Sequence, residues 1–415
     1  MKLLQICVEG NTGSTGTIAE AIGSIAISKG WESYIAFGRF PRPSVSNLIR
    51  IGSDLDTWLH GIETRLFDRH GLGSRRATRN LVRQIDIIKP DIIHLHHIHG
   101  YYINIVILFE YLAKVNIPVV WTFHDCWSFT GHCAFFDYAG CNKWETECNH
   151  CPQKLEYPKS LVVDRSQKNF RLKRSLFTSL PNMVIVSVSR WLDDLVARSF
   201  LKETRHTYIY NGIDTEVFKP SAEIDALRTK YHMDGKFLLL GAATTWDRRK
   251  GLKDFIALSK LLNPGEIIVL IGLDEEQRKN LPQNIIGLPR TDSRATLVEW
   301  YNVADVFLNL SVEETFGLTT AESMACGTPV IVYNKTASPE LVREGAGFVV
   351  SAGDNSGLVN AIQNIKRSGK SAYSAACREH AVSKFNVHDR FNEYFDLYGE
   401  IVGNGISRSG SDASL

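Results

Sequence analysis

VEETFGLTTAESMACGTPV, residues 312–330, carries three local instructions in one run. The preceding DVFLNL, residues 305–310, has the composition of a short buried strand. Phe316, Gly317, Leu318, Thr319 and Thr320 read as a strand-to-helix turn, with Thr319 or Thr320 expected near the N-cap. A short helix over 318–326 is ended by Gly327, with Pro329 just beyond and a new strand at 330–333. The free amides and partial positive charge of a helix N-terminus favour an anion such as a diphosphate. Glu314 before the turn and Glu322 inside the helix add two carboxylates, eight positions apart. A carboxylate accepts strong hydrogen bonds from vicinal hydroxyls, which sugars and ribose both carry. Two acids flanking an anion site suit a ligand with a sugar, a diphosphate and a ribose. Acids at that spacing are also common on solvated surfaces; the FG turn, the helix and the CGTPV ending favour the functional reading.

Strands and helices alternate along the rest of the chain, which indicates an α/β fold of parallel sheets with crossover helices. At 415 residues the chain exceeds one ordinary core, so two domains are expected. Hydrophobic residues make up 44% and charged residues 22%, as in ordinary globular chains. A net charge of +2 argues against nucleic acid as a partner. Residues 1–8 are short, apolar and followed at once by a Gly-rich loop, so they read as a first strand rather than a signal peptide. No apolar run is long enough to span a bilayer; the nearest, 101–115, is broken by Glu110. Four of the eight cysteines fall within 133–151. Without an export signal, that clustering favours metal over disulfides and a cytosolic location.

Taken in order, GNTGSTG at 10–16 precedes a helix expected over 17–29. Its glycines, Gly13 among them, let backbone approach a ligand, although a tight turn explains them about as well. Asp54 and Asp56 form the chain's one Asp-x-Asp; with Ser53 ahead of an amphipathic run at 58–67, a helix cap is the better reading than a metal pair. Two basic segments, 65–83 with six arginines and 165–174, have apolar neighbours suited to anionic lipid, with a solvated helix face as the plain alternative. DIIHLHHIHG at 91–100 is a strand entering a His-rich turn; alternation puts His94 and His96 on one face and His97 and His99 on the other, so a converging metal set does not follow. His124 and Asp125 follow a strand at 119–123, and strand ends carry the site in open α/β sheets. Cys133, Cys141, Cys148 and Cys151, the last two as CxxC, match a structural four-cysteine zinc site in kind, in a segment with little periodicity of its own. Packed reduced thiols or a redox pair are the alternatives. Four sulfurs would leave a catalytic metal no open position. Finally, Arg248, Arg249 and Lys250 lie between a strand at 237–243 and a helix over 252–262, an apt clamp for a diphosphate leaving group.

Glu314-x7-Glu322 within ETFGLTTAESMACGTPV resembles the EX7E signature of retaining glycosyltransferases of family 4, whose fold is called GT-B. The likeness extends along the chain to its last dozen residues. It implies two Rossmann-like domains whose parallel sheets face each other across a cleft. The expected division is an acceptor-side domain at 1–210 with a Cys-rich insert at 126–158, a nucleotide-sugar domain at 211–385, and a helix at 386–402 crossing back. Residues 403–415 are Gly/Ser-rich and expected to be disordered. The family's residues carry over as follows. Glu314 would hold sugar hydroxyls and Glu322 the ribose, while Lys250, Arg249 and the turn Phe316, Gly317, Leu318 and Thr319 would take the diphosphate. The arginine usual after the first strand of this domain is absent, with Ala243 or Thr244 in its place, and Arg248 is a candidate substitute. Leu288 lies where the family holds the nucleobase by backbone, Gly13 lines the cleft, and His124 serves the reacting end of the sugar.

HDCWSFTGHC…GC…W…C..CP at 124–152 resembles a subset of this family in bacterial exopolysaccharide pathways, colanic-acid-like enzymes included. The implied activity is retaining transfer of a hexose-type sugar from a UDP- or GDP-sugar to a glycan or polyprenyl-linked acceptor. It would need no catalytic metal and would run in the cytoplasm, with the inner face of the plasma membrane as the expected place of work for a lipid-linked acceptor. Rival readings are an epimerase or phosphorylase of the same fold, or a zinc-containing binding protein without activity.

Overall fold

The computed structural model describes residues 1–221, 225–291 and 293–409, without the side chains of 225, 226 and 404–409. The chain separates into two units, Met1–Tyr210 with the segment from His388 onward, and Asn211–Val387.

The first unit is built on seven strands: β1 (Lys2–Glu9), β2 (Glu32–Arg39), β3 (Asn47–Arg50), β4 (Ile92–Leu95), β5 (Val119–Phe123), β6 (Met183–Ser187) and β7 (His206–Tyr208). They lie in the order β3-β2-β1-β4-β5-β6-β7, with every neighbouring pair parallel. β5 (VVWTF) and β6 (MVIVS) are buried at every position, as strands covered by helices on both faces must be. The order reverses between β1 and β4, and such a reversal opens a crevice beyond the strands' carboxyl ends.

The helix Val387–Ser409 packs, from His388 on, against this sheet. His94 anchors it from the core. Its Nδ1 is 2.6 Å from the Tyr398 hydroxyl, and its Nε2 is 2.8 Å from Thr122 Oγ1, which bonds the Tyr394 hydroxyl. His94 is thus a satisfied interior residue. The helical backbone is described to Ser409; 410–415, the end of the tail expected to be disordered, lie outside the described residues.

The second unit has six strands, β8 (Phe237–Ala242), β9 (Glu266–Ile271), β10 (Ile285–Leu288), β11 (Val306–Asn309), β12 (Val330–Tyr333) and β13 (Gly347–Val350). Their order is β10-β9-β8-β11-β12-β13, again all parallel. Leu239, Ile268, Val306 and Ile331 of the sheet pack with Phe255 and Ile362 of the covering helices. Here the reversal falls between β8 and β11.

The first helix, Gly13–Ser28, starts four residues earlier than expected. A Cβ on Gly16 would come within 2.9 Å of the Glu9 carbonyl oxygen, so that glycine serves helix–strand packing rather than ligand approach. The segment 126–158 holds only single 3-10 turns, Trp127–Phe129, Asp137–Ala139 and Lys143–Glu145, around a cluster of Phe129, Phe136 and Trp144.

Candidate functional site

In the second unit, Lys250 and Glu314 meet beyond the carboxyl ends of β8 and β11, the two strands at the reversal. Lys250 Nζ lies 2.5 Å from Glu314 Oε1. Gly251 permits the meeting. Its φ is +76°, and a Cβ there would lie 2.2 Å from the Leu310 carbonyl oxygen. The loop after β8 therefore presses on the exit of β11, and the Val312 amide donates to the Arg249 carbonyl at 2.8 Å. Thr336 Oγ1 accepts the Glu314 amide at 2.8 Å, and the Glu314 carbonyl accepts the Ala337 amide at 3.2 Å. Arg249 is held by Asp247 through its guanidinium (2.7 Å) and its amide (2.9 Å), while Arg248 is exposed. Arg249 and Lys250 thus have acid partners in place, and the segment is not a loose basic turn.

The turn into the helix Leu318–Ala325 is capped by Gly317 at φ +103°, not by a threonine. That backbone region strongly favours glycine, so the chain can turn there and nowhere beside it. Thr320 faces inward, its Oγ1 accepting from Asn309 Nδ2 at 3.0 Å. Leu318 and Thr319 sit in the first turn, where amides have no intrahelical acceptor. Phe316 is buried edge-on to Phe385, centroids 5.6 Å apart, so its side chain serves packing. Glu322 accepts a hydrogen bond from the buried Tyr301 hydroxyl at 2.8 Å. Burial pushes its carboxyl up to about 6, against the opposing pull of Tyr301 and Arg294. Tyr301 went unseen because an aromatic within the helix Arg294–Val303 reads as core. Leu288 ends β10, and its carbonyl accepts the amides of Gly272 and Leu273, each at 3.1 Å.

The first unit has its own polar set at strand ends. β4 stops at Leu95, and beyond its end His97 and His99 both turn to Asp125, after β5. Asp125 Oδ2 is 3.2 Å from His97 Nε2 and 3.0 Å from His99 Nε2, and Oδ1 accepts the Trp127 amide at 2.9 Å. Burial would raise this carboxyl, but His99 and His97 hold it well below the usual range. The three side chains have ligand atoms within 4.8 Å of one another, a donor set a divalent ion accepts, although here the imidazoles face the carboxylate. The Tyr157 hydroxyl approaches His99 Nδ1 at 3.0 Å, and Thr15 Oγ1 approaches His97 Nδ1 at 3.3 Å. Gly13 opens the helix of Thr15 at φ +63°.

A second chain fixes His124. The Gln5 amide nitrogen donates to the Ala19 carbonyl at 2.7 Å, leaving its Oε1 to accept from His96 Nε2 at 3.0 Å. His96 Nδ1 is then the acceptor for His124 Nε2–H, 3.2 Å away. Burial lowers both imidazoles well below their usual range, so both are neutral near pH 7.

Ser53 and Asp56 form a capping box and Asp54 pairs with Arg50, so Asp54 and Asp56 cap a helix. The two basic segments converge: Arg69, Arg75, Arg79 and Arg165 line a cavity of about 340 Å³ with Leu72 and Ile107. Cys133, Cys141, Cys148 and Cys151 are free thiols around one cavity of about 10 Å³.

Residues 28–217 match the family model described as Glycosyltransferase Family 4, and residues 235–367 match Glycosyl transferases group 1. The putative colanic acid biosynthesis glycosyl transferase WcaC of Escherichia coli K12 is 26% identical over 367 residues, 85% of this chain and 87% of that protein. Among solved structures, a sucrose-phosphate synthase from Thermosynechococcus elongatus superposes with a TM-score of 0.72 at 18% identity, over 97% of this chain and 99% of its own. Anabaena HepE in complex with UDP-glucose does so with a TM-score of 0.68 at 16% identity, over 96% and 100%.

Proposed function

We propose a specific reaction from the premise that the chain belongs to glycosyltransferase family 4 and has the GT-B fold. It moves a hexose-type sugar, with retention, from a UDP- or GDP-sugar to a hydroxyl of a glycan or lipid-linked oligosaccharide in bacterial surface-polysaccharide assembly. The observation that carries the site is the Lys250–Glu314 pair at the strand-order reversal of the second unit. In this reading Lys250, Arg249 and Arg248, with the first-turn amides of Leu318 and Thr319, stabilise the departing diphosphate. Glu314 orients Lys250 and takes sugar hydroxyls. Glu322 takes the ribose diol, and Leu288 borders the base. His124, neutral and fixed in one tautomer, hydrogen-bonds the transferred sugar. The charge stabilisation comes from side chains and amides, so the reading requires no catalytic metal. The test is transfer from UDP- and GDP-sugars, screened by thermal shift. Glu314→Gln and Lys250→Ala should stay folded and lose transfer. Wild-type rates in either would sink the assignment.

We further propose that the protein works at the inner face of the plasma membrane. Among the described residues no helix is long and apolar enough to cross a membrane, so the contact would be peripheral. Support comes from the helix Asp54–Phe67, which is built inside out. It buries His60, Gly61 and Thr64 and exposes Leu55, Trp58 (61%), Leu59, Leu66 and Phe67. An exposed apolar stripe and an arginine-lined cavity in the same unit suit the boundary between acyl chains and anionic headgroups. The four clustered cysteines, in this proposal, hold a structural zinc that braces the irregular segment 126–158.

A further inference from the structure

His132 shares the lining of one small cavity with the four cysteines. The side chain is fully buried. Its Nδ1 is 2.6 Å from Asp68 Oδ1, and its Nε2 has no hydrogen-bond partner. A buried polar atom left unpaired is costly. His132 also lines the 10 Å³ cavity bordered by Cys133, Cys141, Cys148 and Cys151.

Asp68 is set up for the task. It ends the helix Asp54–Phe67 in the left-handed region, at φ +52°, which aspartate tolerates better than most residues. Its second carboxylate oxygen accepts the Arg165 amide at 2.8 Å, so the group cannot swing away. A carboxylate accepting the Nδ1–H of a histidine selects the tautomer whose Nε2 lone pair is open, the arrangement that orients histidine toward a metal. The chain around His132 is equally constrained. A Cβ on Gly131 would lie 2.2 Å from the Ser166 carbonyl oxygen and 2.7 Å from Cys148 Cβ, so only glycine admits this approach.

We infer that His132 Nε2 is itself a zinc ligand, so that a four-coordinate ion takes His132 and three of the four thiolates, with Asp68 orienting the imidazole from behind. This rests on the reading of the cysteine cluster as a zinc site and changes its ligand set. The fourth thiol would then be the one whose replacement by serine leaves zinc in place.

The test uses the full-length chain purified under reducing conditions. Zinc content should be one per chain. Zinc-edge X-ray absorption should find about three sulfurs near 2.3 Å and one nitrogen near 2.0–2.1 Å. In competition with a chelator, Asp68→Asn, which keeps the imidazole, should weaken zinc roughly 10–100-fold, and His132→Gln by at least as much. A shell of four sulfurs with no nitrogen, or wild-type zinc affinity in both variants, would overturn the role of His132 while leaving the cysteine site standing. Wild-type protein without zinc would overturn both. The wild-type spectrum decides the matter even should His132→Gln fail to fold.

Discussion

Glu322→Gln removes a half-buried carboxyl group while keeping an acceptor for the Tyr301 hydroxyl, 2.8 Å away. Burial raises this group from its ordinary 4.5 to about 6. The folded chain therefore binds the proton more tightly than the unfolded one. The stabilising contribution is full below about pH 4.5 and lost as pH rises through about 6. At about 1.36 kcal/mol per pH unit, keeping Glu322 ionised in the fold above that range costs about 2 kcal/mol. Glutamine carries no such charge, so the variant should be more stable at pH 7.5. At 2–4 °C per kcal/mol for a unit of this size, Tm should rise by roughly 4–8 °C. At pH 4.5 the two proteins should melt nearly together. Nucleotide affinity should move the other way. A neutral amide replaces charge-assisted bonds to the ribose diol, each worth about 1.5–3 kcal/mol, so UDP or GDP should bind roughly 10–100-fold more weakly. Differential scanning calorimetry at the two pH values and titration calorimetry with each nucleotide measure both effects. A variant that melts no higher than wild type at pH 7.5 refutes the electrostatic argument. One that binds nucleotide as tightly refutes the role given to Glu322.

Lys250→Met should lower kcat/KM by roughly 10²–10³-fold, as loss of one charge-stabilising group does. Adding Glu314→Gln should restore Tm but not rate; recovery of both would mark the pair as structural only. Gly251→Ala places a Cβ against the Leu310 carbonyl at φ +76°, so urea melts should show a loss above about 1 kcal/mol, together with loss of transfer; an unperturbed variant would mean the loop after β8 does not need its close approach. Trp58→Glu with Leu59→Glu should abolish co-sedimentation with anionic vesicles while sparing transfer to a water-soluble acceptor. Unchanged sedimentation would separate the exposed stripe from membrane binding.

The sequence by itself determined the alternating architecture and the candidate acids. Continuous apolar runs such as VVWTF and MVIVS can only be buried parallel strands, and turn chemistry marks where each ends. The resemblance carried by Glu314, Glu322 and the FG turn pointed to the family. These are local signals, set by residue type and spacing. The rest depended on long-range pairing. No local signal states that β8 lies beside β11; the resemblance placed Lys250 and Glu314 on one ligand, and the direct contact between them across 64 positions came only with the fold. Alternation put His97 and His99 on one face, but Asp125 meets them only because β4 pairs with β5, a pairing no local signal states. The N-cap fell to Gly317 because the turn required a positive φ, where threonine spacing suggested a side-chain cap. His94 and His132 carry the same ring. The first lies beneath the returning helix with both nitrogens bonded, and the second lines a cavity with four thiols and has one nitrogen unpaired. Composition cannot separate them, because what a buried imidazole does is decided by the atoms the fold brings to its two nitrogens.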